Sequence, residues 1–175
     1  KPSSIVAVNP YVIDQNKDFY SSTNTALFLD AMSSKKIIKK RENITLIHSC
    51  DFPYFSRNCS SSVFQGFTVT YVALQLAYYM GFTRVGIIGI DHNFNIEGCP
   101  NASVKSDGKE KGHFDSNYFS KGQAWQLPDL KASEHYYNIA NLCYEQSGRK
   151  IFNASVSSDL NIFKKVTLEK FIKDE

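Results

Sequence analysis

The clearest alternation of apolar and polar positions runs through residues 65–94. Val72, Leu76 and Tyr79 recur at helical spacing, which predicts an amphipathic helix with a wide apolar face. Gly81 follows this stretch and suits the left-handed residue that commonly ends a helix. We therefore expect a helix that stops just before Gly81.

Directly after this helix, residues 85–90 read VGIIGI and are apolar on both faces. This pattern is typical of strands that are covered on both sides of a parallel sheet. Asp91 and His92 follow the run, and in open α/β sheets ligands bind outside the carboxyl ends of the strands. The pattern therefore predicts that the functional end of the molecule lies beside Asp91.

The other periodic segments alternate between strand-like and helix-like patterns. Strands are predicted over residues 4–8, 44–48 and 149–154, and helices over residues 23–32, 129–147 and 168–173. Such alternation is typical of a parallel sheet covered by helices. We predict a single α/β domain over residues 1–175, of the three-layer Rossmann-like type with a mainly parallel sheet. Residues 91–127 are interpreted as a long loop that covers the site.

Composition narrows the function only slightly. The chain of 175 residues is 42% hydrophobic, as in an ordinary globular domain, and its net charge of +3 indicates no nucleic-acid partner. No apolar run approaches the roughly 20 residues that span a bilayer, so no membrane span is predicted. The four cysteines lack metal-site spacing, which favours reduced thiols and a cytoplasmic protein.

The start of the main predicted helix offers a site for an anion. Free N–H groups and the helix dipole favour negative charge there, so a phosphate can lie against Thr68, Val69 and Thr70. The alternative is that Thr68 or Thr70 only caps the helix through its hydroxyl oxygen. The expected position of this turn, beside the same sheet edge as Asp91, favours a site.

Candidate chemistry also lies at other strand ends and in the long loop. Asn9 ends the first predicted strand; its carboxamide can read a ribose or base edge, or it can be a turn residue before proline. Asp91 can bind a metal, orient a base or act in proton transfer, or it can cap the following turn, and we favour a site role. In the loop, His113 lies near Asp115 and can be a general base, or it can simply be exposed. Tyr118 can bind a phosphate oxygen.

Longer stretches carry a resemblance to a known family. They read TVTYVALQLAYYMGFTRVGIIGIDHNF, GHFDSNYFSKGQAWQLPDL and GRKIFNAS. These runs resemble the MptE-like family, which includes archaeal 6-hydroxymethylpterin diphosphokinase and the motility accessory factor glycosyltransferases. The resemblance spans residues 4–163 and implies a transferase that acts on a nucleotide-activated substrate.

A more distant resemblance is to bacterial sialyltransferases that use CMP-activated sugars. It rests on VAVNPYVIDQ and on GID at residues 89–91. It implies that Asn9 contacts the nucleotide and that Thr68 and Thr70 lie near the phosphate. It also implies that Asn93 takes the position of a phosphate-binding tyrosine.

Two features depart from these relatives. They begin with a Gly-Asn-Gly-Pro-Ser phosphate loop, whereas this chain opens inside a predicted strand. We therefore expect that loop, with one or two strands, upstream of Lys1. The region that matches their catalytic histidine reads QAWQLPDL, and His113 is a histidine in the same loop at a different spacing. On this interpretation His113 and Asp91 are the catalytic candidates.

Three functions are consistent with these observations. The first is a glycosyltransferase that moves a sugar from a CMP-type donor to a glycan acceptor, with no metal and with His113 as the base. The second is pyrophosphate transfer from ATP to a pterin alcohol, which needs Mg²⁺ on carboxylates. The third is a non-catalytic nucleotide-binding module. The sequence leaves the oligomeric state open.

Overall fold

The first half of the chain forms a parallel sheet with strand order β1–β2–β3. The computed structural model describes residues 1–93, 98–105 and 124–173. The strands of this sheet are β1 (Ser4–Ala7), β2 (Ala26–Asp30) and β3 (Ile44–Ile47). The helices between them are α1 (Pro10–Gln15), α2 (Lys17–Ser22) and α3 (Ala31–Ser34). Both faces of the sheet carry buried apolar side chains, as the apolar strand pattern requires.

A second parallel sheet, with order β10–β9–β6, is built from the later part of the chain. Before it come the paired strands β4 (Ser49–Cys50) and β5 (Val63–Phe64) and the helix α4 (Val69–Tyr79). The remaining elements are β6 (Arg84–Ile87), β7 (Ser103–Lys105), β8 (Ala124–Gln126), α5 (Leu130–Gln146), β9 (Lys150–Asn153), β10 (Lys164–Lys165) and α6 (Leu168–Lys173). Strands β7 and β8 pair antiparallel. The predicted mixed α/β architecture with mainly parallel pairing is confirmed.

Helix α4 packs against both halves of the protein. Val72 and Leu76 are buried in a cluster with residues that follow β1 and end β3, and Tyr71 and Leu74 are buried with α5 and the second sheet. Its predicted start and end are confirmed, since Thr68 is the N-cap and Gly81 has a φ of +90°. Tyr79 was predicted to belong to the apolar face, but it is half exposed, because the buried face is turned toward Tyr71 and Leu74.

A buried glutamine fixes the irregular segment before α4. Gln75 is fully buried; its Oε1 accepts from the Ser56 N–H at 2.9 Å, and its Nε2 donates to the Phe64 carbonyl at 2.8 Å. These bonds provide partners for backbone groups of the segment between β4 and α4, and a buried loop requires such partners. The loop therefore has a defined path up to the start of α4.

Two predictions of secondary structure are wrong. Residues 23–32 were expected to be helical, but they contain β2, in which Leu27 lies opposite Ile5 and Ile44. Pairing on both sides overrides the helix preference of its alanine and leucine residues. The strand predicted over residues 85–90 is shorter, because β6 ends at Ile87 and Gly89 turns the chain with a φ of +76°. The pair Asn9-Pro10 ends the first strand as predicted, and it also begins α1, with Asn9 as N-cap and proline at the first helical position, as favoured there.

Two further observations concern the state of the cysteine thiols and the apolar length of the helices. All four cysteines have free thiols, and burial raises the pKa of Cys59 to about 11. No helix within the described ranges has the length and apolar character needed to cross a membrane.

Candidate functional site

A cavity of about 520 Å³ lies where β1 ends, where α4 begins and where β8 passes. Its polar lining includes the side chains of Asn9, Thr68 and Gln126, and its aromatic lining includes Phe64 and Phe67. Volumes of this size are typical of small-molecule sites. The cavity thus brings together two regions that the sequence predicted to meet, the end of the first strand and the start of α4.

The start of α4 includes an N–H group without an acceptor on a residue that lines this cavity. The Thr68 N–H donates to the Gln65 carbonyl at 3.2 Å, and the Thr70 N–H donates to the Thr68 hydroxyl at 3.3 Å. Within the described part of the chain, these bonds leave the Val69 N–H without an acceptor. Val69 lines the cavity and is 43% exposed. A helix start of this kind attracts an anion because its N–H groups and its dipole point the same way.

A buried tyrosine holds the cap of α4 in place. The Tyr137 hydroxyl lies 3.2 Å from the Thr68 hydroxyl, and either group can donate. Tyr137 is buried, and loss of solvation raises its pKa, against the smaller effect of hydrogen bonds from Thr68 and Thr70. The phenol is therefore neutral near pH 7 and can donate a hydrogen bond to the cap.

Asn9 is both a helix cap and a lining residue of the cavity. Its Oδ1 accepts from the Tyr11 N–H at 2.9 Å and the Val12 N–H at 3.4 Å. Its Nδ2 donates to Oε1 of Gln126 at 3.0 Å. Asn9 therefore has the local structural role that was one alternative from the sequence, since it caps α1. It also lines the cavity.

Asp91 lies outside the described lining of the cavity. It is exposed, and its carbonyl accepts from the Asp159 N–H at 2.9 Å. The next residue, His92, has a φ of +51° and a side chain that is only 7% exposed, with Nε2 3.0 Å from Oε1 of Glu134. Its ring centroid lies 6.3 Å from that of Tyr137. His92, rather than Asp91, therefore connects this loop to the residues that support α4.

The remaining predicted site residues are Asn93, His113 and Tyr118. Asn93 is exposed and does not line the cavity within the described part of the chain. His113 and Tyr118 lie outside the described residues. The part of the chain that the structure describes contains no group of three or more histidine, cysteine, aspartate or glutamate side chains arranged to hold a metal ion.

Several lining residues were not predicted from the sequence. They are Asp51, Gln65, Phe67, Asn101 and Gln126. Gln126 reaches Asn9 across 117 positions of sequence, a separation that no local pattern reveals. For Phe67 a local indication exists, because a glycine precedes it and a helix cap follows it.

A second cavity, of about 1010 Å³, lies near the starts of β6 and β9. Its cationic lining residues are Arg84, Arg149, Lys150, Lys164 and Lys170. The two arginines already donate to backbone carbonyls, Arg149 to Tyr78 at 2.6 Å and Arg84 to Phe171 at 3.3 Å. This cavity is the main alternative location for an anion.

Fold and site together define a mixed α/β protein with a polar cavity at the start of a central helix. Comparison with protein-family models gives no match, and comparisons with curated proteins and with solved structures give no significant match. The function is therefore inferred from the chemistry of the cavity.

Proposed function

We propose that the protein is a Rossmann-like, three-layer transferase that binds a nucleotide-activated sugar, of the CMP type, in the cavity at the start of α4. The observation that carries this proposal is the available Val69 N–H at a capped helix start that lines the cavity. The first turn of one helix offers its N–H groups to one anion, so the start of α4 can hold one phosphate group. This favours a donor with one phosphate over ATP.

Uncharged polar side chains near the start of α4 can bind the ribose and the base of a nucleotide. Asn9 and Gln126 form a carboxamide pair on the cavity wall, 3.0 Å apart, and such groups offer both donors and acceptors. The free hydrogen-bonding capacity of this pair can bind a ribose hydroxyl or a base edge.

In the proposed reaction, the bond between the sugar and the phosphate oxygen breaks, and an acceptor hydroxyl forms the new glycosidic bond. The electron pair of the broken bond goes to the phosphate, and the first turn of α4 stabilises this charge. His113 takes the hydroxyl proton. Asp91 remains a catalytic candidate of this proposal, and the acceptor is a glycan.

A titration with CMP tests the proposal. We expect CMP to bind, and Thr68→Val to weaken binding about tenfold because the helix cap and its bond to Tyr137 are lost. Isothermal titration calorimetry measures both affinities. Thr68→Ser keeps the hydroxyl and is the matched control, which we expect to bind as the unchanged protein does.

The same titration distinguishes the other functions. Binding of ATP that requires Mg²⁺, with no binding of CMP, would favour pyrophosphate transfer. Binding of CMP by a protein whose sugar transfer survives both His113→Ala and Asp91→Ala would place catalysis on other residues. Absence of heat with either nucleotide would contradict a nucleotide site.

A further inference from the structure

The turn before α4 has an unusual residue in a left-handed conformation. Gly66 and Phe67 have φ values of +58° and +62°, and the Thr68 N–H donates to the Gln65 carbonyl at 3.2 Å. Two successive positive φ values within a hydrogen-bonded turn are typical of type I′, which favours glycine, asparagine or aspartate at both central positions. A phenylalanine in this conformation is an outlier, and such residues cluster at ligand-binding positions.

The strained backbone presents an aromatic ring at the rim of the cavity. Phe67 lines the cavity and is 49% exposed. Its ring stacks on Tyr136, with centroids 5.8 Å apart and an interplanar angle of 24°. Tyr136 in turn contacts the Phe64 ring, with centroids 4.9 Å apart. The Phe67 ring is therefore supported from behind by aromatic side chains that limit its motion.

A purely structural role explains this arrangement less well. Glycine would adopt the same turn without steric strain, and Tyr136 already packs against Phe64, Tyr71 and His135. A residue needed only for packing would bury its ring, whereas about half of Phe67 stays in contact with solvent. The ring is thus held in an exposed position that costs backbone strain.

We propose that Phe67 is a specificity-determining residue that stacks on the base of the bound nucleotide. This inference rests on the proposed function, because it assigns the base to the same cavity. Phe67 and Val69 line the same cavity, so a ligand whose phosphate lies against the Val69 N–H can place its base against the Phe67 ring. Aromatic stacking accepts any base, since every base has a π-face. Phe67 therefore selects a nucleotide over a sugar phosphate, and it leaves the choice among bases to other groups.

The test compares CMP with ribose 5-phosphate, which lacks the base. We expect Phe67→Gly to weaken CMP binding about tenfold, the size typical of losing one stacked base, and to leave ribose 5-phosphate binding unchanged. Because glycine relieves the strain of the turn, Tm should not fall. Phe67→Trp keeps an aromatic face and should preserve CMP binding. Phe82→Ala is the control, since Phe82 is 54% exposed and lies outside the described cavity lining.

The outcomes separate this inference from the proposed function. Unchanged CMP affinity in Phe67→Gly overturns the stacking role while leaving the nucleotide site in place. A fall in Tm together with equal weakening of both ligands indicates a structural role and also overturns it. No CMP binding by the unchanged protein overturns both the inference and the proposed function.

Discussion

Gly66→Ala is expected to lower the free energy of unfolding by about 3 kcal/mol and to abolish nucleotide binding. A Cβ atom at this position would lie 2.4 Å from Cδ1 and 2.7 Å from Cγ of Tyr71. Tyr71 is fully buried, so its ring has no space into which to move. The positive φ of +58° adds backbone strain to this clash. Urea unfolding measures the loss of stability, and calorimetry with CMP measures the loss of binding.

Gly81→Ala provides the matched control for that substitution. Gly81 has a φ of +90°, and a Cβ atom there would meet no atom within 4 Å. We expect this variant to be destabilised only by the left-handed conformation of its alanine, by about 1 kcal/mol, and to bind CMP normally. Equal destabilisation by the two substitutions would show that the clash with Tyr71 does not exist.

Tyr144→Ala is expected to destabilise the protein by about 4 kcal/mol. Tyr144 is fully buried, and its ring packs at 5.3 Å from Tyr78 and 6.0 Å from Phe55, measured between centroids. Its hydroxyl donates to the Leu74 carbonyl at 2.7 Å. The alanine variant loses this bond and leaves a cavity between α4 and α5, which urea unfolding monitored by circular dichroism would detect.

Tyr144→Phe separates the packing of the ring from its hydrogen bond. This variant keeps the ring but removes the donor to Leu74, so we expect a loss of about 1 kcal/mol. An alanine variant as stable as the phenylalanine variant would contradict the view that the ring fills the space between the helices.

The sequence predicted the helices of the second half well, because their apolar residues recur at helical spacing. Of the four positions expected on the apolar face of α5, Tyr137, Ala140 and Tyr144 are buried, and Leu130, at the first turn, is partly exposed. The observed helix, Leu130–Gln146, lies within the predicted bounds. A long amphipathic helix contains enough turns for the period to be read without tertiary information. The same reasoning located the start and end of α4.

Short elements were harder to predict because long-range pairing decides them. Strand β2 has five residues, too few to separate a period of two from a helical period. Its conformation is imposed by β1 and β3, which pair with it on either side. The six-residue helix α1 was missed because Asn9-Pro10 marks both the end of a strand and the start of a helix.

The candidate site was predictable only where it depends on local backbone ends. Asn9 and Thr68 were identified because strand ends and helix starts meet at one edge of an α/β fold. Asp91 was expected there because residues 85–90 were read as one strand, whereas β6 ends at Ile87. Three residues separate that end from Asp91, and Gly89 turns the chain with a φ of +76°. Asp91 is therefore displaced from the strand end.

The contribution of Phe67 could not be foreseen from apolar patterning. An aromatic residue before a helix cap normally predicts burial, and its exposure here follows from the left-handed turn rather than from its hydrophobicity. Likewise, the Thr68–Tyr137 contact joins residues 69 positions apart. Such contacts depend on how α4 and α5 pack, which only the folded structure defines.

The most direct test of a nucleotide at the start of α4 is a two-dimensional ¹⁵N–¹H spectrum recorded while CMP is added. We expect the largest chemical-shift changes at the Val69 and Thr70 amides, with smaller changes at the side-chain amides of Asn9 and Gln126. Unchanged Val69 and Thr70 amides, with changes confined to residues around Arg149 in the second cavity, would contradict this site.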